Sequence, residues 1–390
     1  MRIALVGPFA LDPKGTSRGR ALPLASALVH RGHQVILVVP PWDNPGYSGK
    51  RLTLQGVQVL HTLLPARIPP VWYPLVTWRT LRLALGHRPE VVHVFKPKAF
   101  SGLVAMACWL RRKVGLPPAR LVVDTDDWEG SGGWNELAPY GPLQRAFFDF
   151  QERWVLRHST TVTAASRALC SMIEGLGVSP GRIFYLPNGS SAAESTPANE
   201  TSPEQTATPT ILLYTRFFEF KARRVVSIFR RILDQAPQTR FQVMGQGLQG
   251  EEAEMERLVA EAGLQNRVEM AGWTSPELLP AGFRRAQVAI YPLDDTLVNR
   301  TKCPLKLVEL MEAGLPVVAD RVGQASEYIK QGDSGLLVEP GDVEAFASSV
   351  VRLLTDAELR RRLGQGARSR ILSEFHWDRL AVTVEEAYGV

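Results

Sequence analysis

Short apolar runs recur along the chain, each bounded by Gly, Pro or charged residues, and they alternate with stretches whose apolar positions repeat every three or four residues. The first pattern predicts buried strands and the second predicts helices with one apolar face. Strands are expected at 3–6, 35–39, 91–95, 121–123 and 161–164, and again at 211–214, 240–243, 268–270, 288–291 and 317–319. Val225, Ile228, Phe229, Ile232 and Leu233 keep the i, i+3, i+4, i+7, i+8 spacing of a helix directly after one of these strands. Strands alternating with helices in each half predict an α/β fold of two doubly wound, Rossmann-like parallel sheets facing across a cleft.

Between the halves the pattern breaks. Residues 190–210 are rich in Ser, Thr, Pro, Ala and Glu and hold no run of large apolar residues, so they cannot build a core. The expected organisation is an N-terminal domain over 1–189, a linker over 190–210, a C-terminal domain over 211–370, and a final helix over 371–390 returning to the first domain. A chain of 390 residues, 45% apolar and 22% charged, is long enough for two such domains. No apolar run reaches 18 residues and the first residues read as a strand, so neither a signal peptide nor a membrane span is expected. Cys108, Cys170 and Cys303 are too scattered for a CxxC motif and suggest a reducing compartment, hence a cytoplasmic location.

The chemistry concentrates in 212–320. Arg216 and Lys221 lie between a strand and a helix start, where backbone N–H groups favour anions and an Arg fork matches phosphate oxygens. Leu307, Leu310 and Met311 form the apolar stripe of a second helix that starts near Pro304 and ends near Gly314. Glu309 lies off that stripe, where a carboxylate can accept bonds from two ribose hydroxyls.

At this point the residues resemble a known family. The stretch 214–221 (YTRFFEFK) is similar to the "GRL-x-x-x-KG" signature of family 4 retaining glycosyltransferases with the GT-B fold, and 307–318 (LVELMEAGLPVV) is similar to their "LEAMAAGLPVV". The likeness continues through 31–35 (RGHQV), 186–189 (LPNG), 243–247 (VMGQG) and 268–273 (VEMAGW), in the family's order. It implies that Arg216 and Lys221 neutralise a donor diphosphate, that Glu309 holds the donor ribose, and that the glycine loop of Gly245 and Gly247 lets backbone approach the nucleotide. Thr301 stands where the family carries the first carboxylate of a Glu-x7-Glu motif, and Lys302 and Lys306 add cations beside the donor.

Charge separates the halves. Residues 1–189 hold 22 Lys and Arg against 11 Asp and Glu, whereas 190–390 hold 23 against 28. No nucleic-acid motif accompanies the basic half. An anionic bilayer carrying a lipid-linked acceptor fits better, with Trp72, Tyr73 and Trp78 among Arg67, Arg79, Arg82 and Arg88 forming an interfacial helix, or else a helix that simply packs on its sheet.

Residues 124–129 (DTDDWE) follow a strand at the edge where such sheets bind ligands. Metal binding, acceptor contact and a structural cap remain open there. The expected fold and the Arg/Lys pair favour acceptor contact through Asp126 and Asp127, with Asp126 at a position where the family often carries His, and no metal. His93 lies within a strand pattern and reads as a core or supporting residue. The stretch 14–20 resembles the family's glycine-rich acceptor loop. There Gly15 permits close approach and Arg18 and Arg20 can meet a phosphate, a flexible surface loop being the alternative. The expectation is therefore a transferase moving a sugar from a nucleoside diphosphate to an acceptor hydroxyl, retaining, without cofactor or metal. Its acceptor is a sugar or a lipid-linked glycan, and the enzyme sits in the cytoplasm or at the inner membrane face. A GT-B sugar-nucleotide epimerase and a non-catalytic sugar-nucleotide binder remain as alternatives.

Overall fold

In the first half of the chain, strand-forming runs pair into one eight-stranded sheet. Its strands are β1 (Arg2–Val6), β2 (Gln34–Val39), β3 (Arg51–Leu54), β4 (Val57–His61), β5 (Val91–Phe95), β6 (Arg120–Thr125), β7 (Thr161–Ala164) and β8 (Ile183–Tyr185). The order is β3-β4-β2-β1-β5-β6-β7-β8, parallel throughout except for the β3–β4 hairpin. This computed structural model describes residues 1–12, 15–192 and 208–390. Most of the expected linker therefore lies outside the described residues.

The second sheet has six parallel strands: β9 (Thr210–Tyr214), β10 (Arg240–Met244), β11 (Val268–Gly272), β12 (Val288–Tyr291), β13 (Val317–Asp320) and β14 (Leu336–Val338), in the order β11-β10-β9-β12-β13-β14. Alternation along β9 shows how each face is filled, because successive side chains point to opposite sides. Ile211 and Leu213 join one buried cluster with Val225, Ile228 and Phe229, while Leu212 and Tyr214 join the other with Leu307, Leu310 and Met311. Both faces of the sheet are covered by helices.

Two compact units result. One comprises Met1–Ser191, Thr301–Cys303 and His376–Val390, and the other Ala192–Arg300 and Pro304–Phe375. The returning segment begins at His376 rather than 371, because the helix Ala357–Glu374 stays with the second unit. The helix Trp377–Tyr388 buries Trp377, Leu380 and Val384 in the core of the first. In both sheets the chain reverses its direction of strand addition once, between β1 and β5 and between β9 and β12. Ligands of doubly wound sheets bind outside the carboxyl ends of the strands at such a switch.

Candidate functional site

At the β9 switch, residues 215–221 form a tight connection into the helix Ala222–Gln235. Buried Glu219 staples it, its Oε2 accepting bonds from Thr215 Oγ1 at 2.9 Å and from the Arg216 N–H at 3.1 Å. Phe217, at φ +67°, turns the chain, and the Lys221 N–H donates to Asp294 Oδ2 at 2.8 Å. The backbone of both cationic residues is thus fixed while their side chains are exposed. Among the described residues neither side chain pairs with a protein acceptor.

Arg224, in the first turn of the same helix, contrasts with them. Its guanidinium bonds both oxygens of buried Asp320 at 3.1 and 2.9 Å and reaches Asp294 at 2.9 Å. Asp320 also accepts the Leu293 N–H at 2.7 Å, and its carboxyl is raised by burial against the opposing pull of Arg224. This triad ties the helix to the ends of β12 and β13. Sequence reasoning missed it, although a carboxylate closing the apolar run 317–319 is a signal that a buried partner is needed.

Glu309, in the helix Leu305–Glu312, accepts a hydrogen bond from Tyr214 at the carboxyl end of β9. Lys306 Nζ sits 3.3 Å above the Tyr214 ring. Burial raises the Glu309 carboxyl to about 7 although Lys306 and Tyr214 oppose the rise. Gly245 and Gly247 follow β10 at the same edge, but their reason is internal. A Cβ on Gly245, at φ +133°, would stand 1.8 Å from the Thr215 carbonyl oxygen, so only glycine lets these two loops pass. The Gly247 N–H is taken by Glu252 Oε2 at 2.9 Å. A cleft of about 230 Å³ opens beside Gly245, between Glu252, Glu256, Met270 and Trp273. Thr301 and Lys302, expected with the donor residues, instead belong to the first unit and are buried there. The Thr301 carbonyl accepts a bond from Ser166 Oγ at 3.1 Å.

In that first unit, residues 15–21 are not a loop but the first turns of a helix. Gly15 is exposed at its start. Arg18 is exposed and paired with Asp12, Nε to Oδ1 at 2.6 Å, which lowers the Asp12 carboxyl. Arg20, expected to meet a ligand phosphate, is 1% exposed. It grips Asp124 through Nε and Nη2, both at 2.7 Å, and also bonds the Leu186 carbonyl and Asn188 Oδ1. A guanidinium so enclosed cannot reach a ligand; it cross-links the loops at the sheet edge. Thr163 Oγ1 completes Asp124 at 2.6 Å. Beside it His93 is buried between Tyr388 and Thr163, and burial followed by the charge of Arg20 depresses it to about 3, so the ring is neutral support. Cys303 receives the Asn188 N–H at 3.2 Å, and burial pushes its thiol up to about 12, far from a nucleophile's range.

Asp126 accepts from Thr16 Oγ1 at 2.9 Å and faces Lys96 Nζ at 2.9 Å. Lys96 also bonds Asp127 at 2.8 Å and Glu129 at 2.9 Å, and Lys98 bonds Glu129 at 2.5 Å. Despite burial, the two lysines hold the Glu129 carboxyl down at about 2. Asp127 is raised to about 6, by burial that outweighs Lys96. Lys96 and Ala99 both adopt positive φ, +53° and +54°, so the loop is held in a costly conformation at the switch. Among the described residues no group of three His, Cys, Asp or Glu side chains could hold a metal ion.

The aromatic helix Trp72–Gly86 divides its rings. Trp72 is buried against Phe100, with Arg67 over its outer face, whereas Tyr73 and Trp78 are about half exposed. No helix among the described residues is long and apolar enough to cross a membrane.

Comparison with known proteins follows the same division. Residues 15–189 match a glycosyl transferase 4-like domain and residues 197–370 match glycosyl transferases group 1. An exopolysaccharide phosphotransferase of Streptomyces coelicolor is 30% identical over 196 residues, half of this chain, and the match spans only 19% of that relative's length. A glycogen synthase of Mycobacterium tuberculosis is 25% identical over 94% of this chain and 88% of its own. Among solved structures, HepE of Anabaena in complex with UDP superposes with a TM-score of 0.68 at 17% identity, covering all of both chains, a likeness of fold.

Proposed function

The chain belongs to the GT-B glycosyltransferases, and on that footing we propose that it moves a sugar from a nucleoside-diphosphate sugar to an acceptor hydroxyl with retention at the anomeric carbon. The observation that carries this reading is the Arg216 and Lys221 pair, two exposed cations on a stapled backbone at the strand-order switch. As the glycosidic bond breaks, charge accumulates on the β-phosphate. Preorganised cations stabilise that charge in the transition state more than in the bound substrate, the electrostatic effect that usually contributes most. The departing phosphate oxygen then takes the proton of the acceptor hydroxyl on the same face.

Glu309, fixed by Tyr214, accepts bonds from the donor ribose, and Lys306 adds positive charge beside it. Asp126 and Asp127 offer carboxylate oxygens to acceptor hydroxyls in the first unit. In our reading the reaction needs no metal ion. Arg216 and Lys221 offer two positive charges to the diphosphate, and the carboxylates of 126–129 surround an ammonium, that of Lys96. Thr301 contributes no carboxylate, so donor-sugar recognition relies on other groups.

The acceptor in this proposal is lipid-linked and presented at an anionic bilayer. Exposed Ile68, Val71, Tyr73 and Trp78 lie beside Arg79 and Arg82 in the basic half. Trp78 fluorescence should shift to the blue with anionic vesicles while buried Trp72 stays silent, and an unshifted spectrum removes the membrane contact. The transfer itself is tested by a thermal-shift screen of nucleotide sugars, followed by release of nucleoside diphosphate that depends on acceptor. Release without acceptor, or binding without release, contradicts it.

A further inference from the structure

A second set of cations, which pair with no carboxylate among the described residues, lies at the opposite edge of the first sheet. The helices Ala99–Lys113 and Pro142–His158 end there, before β6 and β7, and the turn Pro180–Arg182 leads into β8. Together they enclose an open cavity of about 420 Å³ lined by Trp109, Arg112, Lys113, Arg157, His158 and Arg182. The cationic side chains of Arg112, Lys113, Arg157 and Arg182 converge on it.

Cations at helix C-termini are ordinary, since they satisfy carbonyls and oppose the negative end of the helix dipole. That accounts for part of the cluster. Arg182 donates to the carbonyls of Thr160, Arg157 and Ser159, so its role is structural. Arg112 and Arg157 bond only through Nε, to the carbonyls of Ala119 and Leu176 at 3.1 and 2.8 Å. Their Nη groups have no protein acceptor among the described residues, and none of the four cations pairs with a carboxylate. Arg112 is half-buried and its charge is disfavoured, first by burial and further by Arg182. One wall is rigid and flat, with His158 stacked on Trp154 at 4.1 Å and Lys113 over Trp109 at 5.5 Å. Like charges held together without counterions beside a cavity fit an external anion, and paired guanidinium edges match phosphate oxygens.

We propose that this cavity is a binding site for a phosphate monoester or diphosphate group, separate from the sugar-transfer machinery at the carboxyl edge of the sheet. Bound phosphate relieves the repulsion between Arg112 and Arg182 and bridges the ends of the two helices. The group can belong to a soluble ligand or to a lipid headgroup, for which exposed Leu110 and Val114 supply adjacent apolar contact.

The test uses the full chain carrying Arg216→Ala and Lys221→Ala, so that the donor cations do not contribute. Equilibrium dialysis against labelled inorganic pyrophosphate should show one saturable site per chain, weakened at least tenfold by adding Arg112→Gln with Arg157→Gln. A parallel arm compares vesicles containing phosphatidic acid with vesicles containing phosphatidylglycerol at equal surface charge. A preference for phosphatidic acid lost in the same variant identifies a lipid headgroup as the source. Thermal melting checks that the variant folds, and Lys113→Gln, at an exposed position, provides the same readout if the double change melts early. Equal retention of both probes by variant and parent, or no saturable binding of either, overturns the proposal.

Discussion

Both units place cations beside the strand-order switch of a parallel sheet, but they treat the charge in opposite ways. In the first, Arg20 is enclosed by Asp124, Leu186 and Asn188, and Lys96 is shared among Asp126, Asp127 and Glu129. In the second, Arg216 and Lys221 have their backbones fixed and their side chains left to solvent. The sequence alone makes Arg20 and Arg216 look alike, as arginines soon after a strand. The difference is one of partner. A buried arginine with a carboxylate of its own holds loops together, whereas a cation on a fixed backbone without a partner is available to an anion.

The largest effect that sharpens this contrast is on stability. Arg20→Ala leaves Asp124 buried with only Thr163 as a side-chain donor, which should cost about 3–5 kcal/mol and lower the melting temperature by several degrees. Arg216→Ala should leave it unchanged. Calorimetric melting of the two variants decides, and equal melting points would erase the distinction.

A second prediction probes the same buried region through pH. Glu152 is fully buried, its Oε1 accepting the Glu129 N–H at 3.1 Å. Burial, with the nearby charge of Glu129, raises its carboxyl from 4.5 to about 8. The folded protein therefore holds this proton more tightly than the unfolded chain does. Its contribution to stability is present in full below the unfolded value and is lost as pH rises through about 8, by at most about 1.4 kcal/mol per pH unit. Glu152→Gln should melt like the parent near pH 4 and above it near pH 9. Parallel pH profiles for the two proteins would show that the carboxyl titrates alike in the folded and the unfolded chain and is not raised by burial.

The smallest expected effect is none. Transfer should continue within about twofold after chelation with EDTA, because in the proposed mechanism Arg216 and Lys221 supply the charge that a divalent ion would otherwise bring. Activity lost on chelation and restored by added metal would move Asp124 and Asp126 into a metal site and Lys96 out of the way.

How far the fold was legible follows from element length and burial. Fully buried runs such as those in β1, β5, β9 and β13 announced themselves as continuous apolar segments. The β3–β4 hairpin did not, since its strands are half exposed and its turn, Gln55-Gly56 at φ +50° and +77°, lacks the usual Asn or Asp. β8 and β14, three residues each, are too short to carry a period. At the site, the positions of Arg216, Lys221 and Glu309 were readable because strand, turn and helix are local features. The engagement of Arg20 with Asp124, 104 residues away, was not. Nor was the Arg224–Asp294–Asp320 triad, nor the burial of Thr301 and Lys302 in the first unit. Each depends on which strands become neighbours, and spacing in one sequence does not encode that order.

The central claim is that Arg216 and Lys221, exposed on a fixed backbone in the second unit, hold the donor diphosphate. Isothermal titration of the nucleotide sugar selected by the thermal-shift screen, into the parent and into Arg216→Ala with Lys221→Ala, tests it most directly. Each removed charge-assisted contact is worth about 1.5–3 kcal/mol, so affinity should fall by about a hundredfold or more while melting temperature is retained. Unchanged affinity in a folded double variant would contradict the account.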